Sequence, residues 1–226
     1  MRTLICIAML TPITAYADEE AHPQELFLGD HSWLQEKAEL QVTALPTWAR
    51  ERWDMGVAVE YGITRRLQLS LEGDWMDGSN MDVLKEVELG ARFGVFHSAH
   101  WAVAIGGNAT AEIADETELG FEPGASLSFS VESIGANLAV SGPIASELEP
   151  AVSLAVFGRL GKVIPLVEAG YMDEEMCVRA GVAVQLGTAQ LAAAFGYGEE
   201  MGASVHAALT WEINLLGDDD DDDEAP

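Results

Sequence analysis

From Lys37 to Ile213 the chain repeats one pattern: apolar side chains at every second position for eight to twelve residues, then a turn. Leu67-Gln68-Leu69-Ser70-Leu71-Glu72 shows it, and Val87-Glu88-Leu89-Gly90-Ala91-Arg92-Phe93 repeats it. Period two describes strands with one apolar and one polar face. The spacing predicts about twelve of them, near 37–47, 53–61, 67–75, 85–96, 101–113, 121–131, 134–141, 150–158, 163–171, 176–186, 189–197 and 202–213.

One face collects residues such as Val57, Leu69, Leu89, Ile105, Leu138, Val182 and Leu209, and almost no charge. The other carries Glu60, Gln68, Glu72, Glu88, Arg92, Asn108, Glu168, Arg179, Ser204 and His206, with many Gly and Ala. A soluble sandwich would join its apolar faces and turn the polar ones to water. A membrane barrel turns the apolar face to lipid and the polar face inward. Aromatic residues near strand ends (Trp53, Tyr61, Trp75, Phe96, Trp101, Phe121, Tyr171, Tyr197 and Trp211) fit the two girdles of a barrel. The connections alternate too. Gly62–Arg66, His97–His100, Glu132–Ser133, Arg159–Lys162 and Gly187–Thr188 are tight, whereas Met76–Leu84, Ala114–Gly120, Gly142–Glu149, Met172–Glu175 and Gly198–Met201 are acidic and mostly longer. Trp48–Arg52, with two arginines, breaks that rule. The expected fold is an all-β, antiparallel up-and-down transmembrane barrel of about twelve strands.

The ends fit an exported protein. Residues 1–17 read as a signal peptide: Arg2, the apolar run Leu4 to Leu10, and the small-x-small site Ala15-Tyr16-Ala17. That run is far shorter than the ~20 residues of a spanning helix. Residues 18–36 are expected to form a periplasmic N-terminal segment, 37–213 the barrel, and 214–226 an acidic, disordered tail. Without the leader Cys177 is the single cysteine, so no internal disulfide can form. The barrel-assembly machinery of bacterial outer membranes reads an aromatic residue at the end of the last strand in many barrels. Here Trp211-Glu212-Ile213 is followed by Asn214 to Gly217 and six aspartates, which departs from that arrangement.

Composition narrows the reading. Thirty-eight acids against 11 bases give a net charge of −27, which argues against binding to nucleic acid phosphates. Apolar residues make up 49%, too many for a disordered acidic chain. The expected setting is therefore the outer membrane of a Gram-negative bacterium, with the lipid bilayer as partner. A secreted soluble acidic β protein is the alternative.

Gln35-Glu36-Lys37-Ala38-Glu39-Leu40-Gln41 and Val59-Glu60-Tyr61-Gly62-Ile63-Thr64-Arg65-Arg66-Leu67-Gln68-Leu69 resemble a broad group of outer-membrane β-barrel transporters, including the family linked to the meta pathway of phenol degradation. There a "QEKGE" entry to the first strand and a "YGITDRLQL" hairpin recur. Here Ala38 stands where Gly is usual and Arg65 replaces the Asp of the turn. The resemblance covers the architecture of nearly the whole chain and implies an outer-membrane protein passing small organic molecules. Its motifs are structural and carry no binding residues over.

The candidate functional residues are those expected to line the lumen: Glu60, Glu72, Glu86, Glu88, Arg92, Glu112, Glu168, Arg179 and Glu212. Seven carboxylates against two guanidinium groups would favour cations over anions in a narrow interior. The reading is passage of a small solute with a cation or neutral-molecule preference, needing no cofactor; the alternative is a non-conducting structural or loop-binding barrel. Ser204 and His206 share the inner face at a spacing seen, in reverse order, in some outer-membrane lipid hydrolases. An interior polar pair is the better reading, since hydrolysis needs an orienting group and access to lipid. His97 and His100 flank a turn without a third metal ligand nearby, and Asp218 to Asp223 lack the spacing of a calcium loop. No catalytic or metal site is expected.

Overall fold

A computed structural model describes residues 9–10, 25–26, 34–49, 52–77, 84–113, 118–143, 150–172, 175–199 and 202–215. Most of the expected leader and of the segment 18–36, and the aspartate tail, lie outside these residues. Met9–Leu10 and Glu25–Leu26 form a two-residue antiparallel ladder apart from the main sheet.

The main sheet is a closed antiparallel barrel of twelve strands. They are β1 (Glu39–Ala49), β2 (Arg52–Thr64), β3 (Leu67–Asp77), β4 (Leu84–His97), β5 (Trp101–Glu112) and β6 (Glu118–Val131). The second half comprises β7 (Ile134–Ser141), β8 (Ala151–Gly158), β9 (Val163–Met172), β10 (Glu175–Leu186), β11 (Ala189–Gly198) and β12 (Gly202–Asn214). Each strand pairs with its sequence neighbours, and β12 closes on β1 from Ser204↔Ala49 to Asn214↔Glu39. That seam is interrupted beside Leu45 and Pro46, where the proline has no N–H for the ladder.

The strands agree with the period-two reading, with differences at the ends. The expected loop Trp48–Arg52 shrinks, because β1 runs to Ala49 and β2 starts at Arg52. β6 begins at Glu118, inside the expected loop 114–120. Strand pairing continues through polar residues there because a barrel wall projects beyond its apolar band. Both chain ends of the barrel lie with the tight turns, and the Leu215 N–H donates to the Ala38 carbonyl. Ala38 has φ +63° and Glu132, in the β6–β7 turn, φ +51°. Ala38 thus occupies the left-handed conformation that favours glycine, which is a physical reason for the Gly in the pattern it resembles.

The distribution of polarity is inverted relative to a water-soluble protein. Leu71, Leu89, Ile105, Leu154, Val167 and Leu191 are exposed on the outer wall, while Gln41, Glu60, Gln68, Glu168 and Arg179 are buried inside. In water such a wall would be a very large continuous apolar patch. Facing lipid it carries no such cost. Exposed aromatics cluster at the two ends of this wall, with Tyr61, Phe96, Trp101 and Trp211 toward the turns and Trp48, Trp75, Phe121 and Tyr171 toward the loops. The closed single sheet with an apolar exterior replaces the sandwich alternative.

Leu89, mid-strand on β4, tests the lipid contact. Leu89→Lys is expected to cost about 2–4 kcal/mol at the bilayer midplane. The check is urea unfolding of the barrel in lipid vesicles; an unchanged midpoint would mean that this wall faces water.

Candidate functional site

The inward positions of neighbouring strands form rows around the barrel, because cross-strand partners share a face. All nine lumen candidates fall on these inward rows. They do not form one site.

Toward the turns the interior is packed. Glu60, on β2, accepts from the Arg92 guanidinium of β4. The Gln41 side-chain amide also donates to Glu60, at 3.2 Å. Gln41 lies within reach of Thr43 (3.3 Å), and Thr43 of Thr210 on β12 (3.2 Å), so a polar belt crosses the β12–β1 seam. Residues just before β1 complete this cluster. The Gln35 N–H donates to the Gln68 side chain at 2.8 Å, and its amide nitrogen donates to Gln41 at 2.5 Å and reaches Glu60 at 3.5 Å. Residues 34–38 therefore form a strap that enters the turn-side mouth. Gly62 makes room for it: a Cβ there would sit 1.8 Å from the Glu36 carbonyl oxygen.

On the facing wall Glu168 and Arg179 are direct cross-strand partners and almost wholly buried. Arg179, Ser204 and His206 converge over Gly196. His206 stands between two hydroxyls, with Nε2 2.8 Å from Ser204 Oγ and Nδ1 3.0 Å from Thr47 Oγ1. Ser204 and His206 are buried in the interior, away from lipid, and the second ring nitrogen meets a hydroxyl where a triad would place a carboxylate. This geometry gives no support to an esterase. Cys177 is buried and its thiol contacts the Gly170 carbonyl at 3.7 Å, as a small strand side chain would. Among the described residues no three His, Cys, Asp or Glu side chains could hold a metal ion.

Between these polar groups lies an apolar cluster that includes Leu45, Phe157, Ile164, Leu166 and several alanines. Phe157 fills the space beside Gly135, where an added Cβ would meet its ring at 2.3 Å. Phe157 shares the parity of Ser153, and Ile164 and Leu166 that of Glu168, but the expected lumen set was drawn from charged residues and left these apolar ones out.

The loop-side wall of β4 to β6 differs. Glu86, Glu88, Asn108 and Glu122 are only half-buried, and Glu112 and Glu118 are exposed. Water therefore reaches this part of the wall. Asp74 of β3, Glu86 of β4, Glu112 of β5 and Glu118 of β6 are successive cross-strand partners, and Glu72 and Glu88 partner each other one level nearer the turns. Asp54, Asp74, Glu118 and Glu122 were missed as inward residues, although they share parity with Glu60, Glu72 and Ser126. Glu212, by contrast, sits at the turn end opposite Gln41, apart from this wall.

No protein-family model matches the chain, and no curated protein sequence matches it. Solved outer-membrane porins share its fold. A KdgM porin superposes with a TM-score of 0.63 at 8% identity, over 76% of this chain and 98% of that one. A KdgM porin in complex with disordered oligogalacturonate gives 0.64 at 7% identity, over 76% and 98%. A NanC porin gives 0.57 at 8% identity, over 76% and 97%.

Two outcomes follow from the packed half. Arg92→Met is expected to lose about 3–5 kcal/mol by stranding the buried Glu60 charge, and adding Glu60→Gln to recover much of it; urea midpoints in vesicles measure both. Gly62→Ala is expected to expel the strap, speeding trypsin cleavage after Lys37 while the barrel stays resistant.

Proposed function

We propose that this protein sits in the outer membrane of a Gram-negative bacterium and passes a small cationic or neutral solute passively. The observation that carries the reading is the water-accessible loop-side wall of carboxylates, Glu86, Glu88, Glu112, Glu118 and Glu122, set against two buried inward guanidinium groups, Arg92 toward the turns and Arg179 on another part of the wall. A vestibule of one sign concentrates counter-ions and repels co-ions. The lumen candidates divide the work: Glu72, Glu86, Glu88 and Glu112 attract at the entrance, while Glu60, Arg92, Glu168 and Arg179 set the size and charge of the narrow part. Glu212 lies at the periplasmic exit.

The solute bound in one neighbouring porin, oligogalacturonate, is a polyanion. An acidic entrance disfavours such a ligand, so we infer a solute of the opposite sign or none. The resemblance to the phenol meta-pathway family supports small organic molecules as the cargo class, with the left-handed Ala38 at the position of that pattern's Gly. Folding by the barrel-assembly machinery and export by the leader 1–17 belong to the same reading. The second reading, a non-conducting barrel, draws on the buried side chains and the Gln35 strap that fill the turn-side half.

Refolded protein in a planar bilayer under a salt gradient is expected to show discrete cation-selective currents. Glu88→Gln is expected to move the reversal potential toward zero. A heat-resistant, inserted barrel that stays silent would favour the second reading.

A further inference from the structure

Four carboxylates stand side by side in the loop-side wall: Asp74, Glu86, Glu112 and Glu118, on the consecutive strands β3 to β6. Direct cross-strand partners of like charge oppose pairing, and a counter-charge lying along the row would relieve that opposition. Adjacent strands are about 4.8 Å apart, so the row offers negative charge at regular steps over three strand spacings. Asp74 is a second, separate indication of a ligand. It is 6% exposed, and its Oδ1 has no hydrogen-bond partner among the described residues. A buried carboxylate oxygen without a donor is costly, and a bound cation would satisfy it.

The layout selects the kind of cation. Among the described residues no three acidic or histidine side chains converge as metal ligands do. The charges form a track, which an extended cation matches better than a compact ion. Ammonium groups joined by propyl or butyl spacers repeat at a step close to that between strands, and each N–H donates directly to a carboxylate oxygen. Glu72 and Glu88, partners one level below, continue the negative surface toward the narrow part. We propose that the row from Asp74 to Glu118 is a binding track for linear polyamines. The proposal rests on the reading of the interior as an acidic entrance, and it names the class of solute that entrance would take.

Calorimetry on the full refolded barrel, with spermine and Mg²⁺ as probes, tests it, alongside currents in the planar bilayer. Spermine is expected to bind about tenfold or more tightly than Mg²⁺ and to block current from the loop side. Glu86→Gln with Glu112→Gln is expected to weaken spermine about tenfold while leaving the heat-shifted migration of the folded barrel unchanged. Asp74→Asn, at the buried end, is expected to weaken it further. Equal affinity for spermine and Mg²⁺, no spermine binding, or binding indifferent to these substitutions would overturn the track. Cation-selective current without spermine binding overturns the track and leaves the channel standing. Spermine binding by a silent barrel does the reverse.

Discussion

The rest of this structure depends on the pairing of β12 with β1. In hydrocarbon no water satisfies a free N–H or C=O, so a sheet can stay there only if it has no edge. Closure removes both edges at once and decides which face looks where. An even number of strands also returns the last strand to the side of the first, which is why Leu215 can bond back to Ala38 and why the tight turns share that side. Pro46 sits at the seam where one N–H must be missing, and the ladder skips there and resumes toward the loop end.

Closure with twelve strands also limits the interior. Side chains from opposite walls can meet, so every inward residue competes for room. In the turn-side half the competition is resolved by packing: Phe157, Ile164 and Leu166 cluster with several alanines, while Arg92 and Gln35 converge on Glu60. A buried charge is tolerated only with partners, and Glu60 has Arg92, Gln41 and Gln35. On the loop-side wall of β4 to β6, among the described residues, Glu86, Glu88, Glu112, Glu118 and Glu122 meet water, while Asp74 beside them is buried. One barrel thus holds two electrostatic regimes, a screened acidic entrance and a low-dielectric polar neck.

Much of this was legible in the chain. Strict alternation in Leu67–Glu72 and Val87–Phe93 gave strands and faces together, because an apolar exterior and a polar interior differ at every step. The same logic failed where both faces are mostly apolar. In AVSLAVFG and VIPLVEAGYM only Ser153 and Glu168 mark the inward parity, so the inward packing of the apolar Phe157, Ile164 and Leu166 on that same parity was not foreseen. Asp74 and Glu118 were assigned to strand ends and loops, because charge near a turn reads as a solvated tip. The strap escaped for another reason. Gln35 carries no periodic signal, and its place is set by Gly62, twenty-seven positions later in the chain.

One fold can hold very different inward residues. Twelve paired strands leave the inward positions nearly free of structural duty in the solvated half, since neither the ladder nor the lipid face depends on them. Identity near 8% with barrels of the same topology is what that freedom permits. In the packed half the freedom is lost: Gly62 must admit the strap, Gly135 must admit Phe157, and Glu60 must meet Arg92. On the channel reading proposed above, selectivity would be set chiefly where substitution is cheapest, on Glu86, Glu88, Glu112 and Glu118, with the neck supplying the narrowness that makes those charges count. A field of a few carboxylates is weak in open water and strong beside a low-dielectric wall. On that reading the entrance selects the charge of the solute and the neck its size.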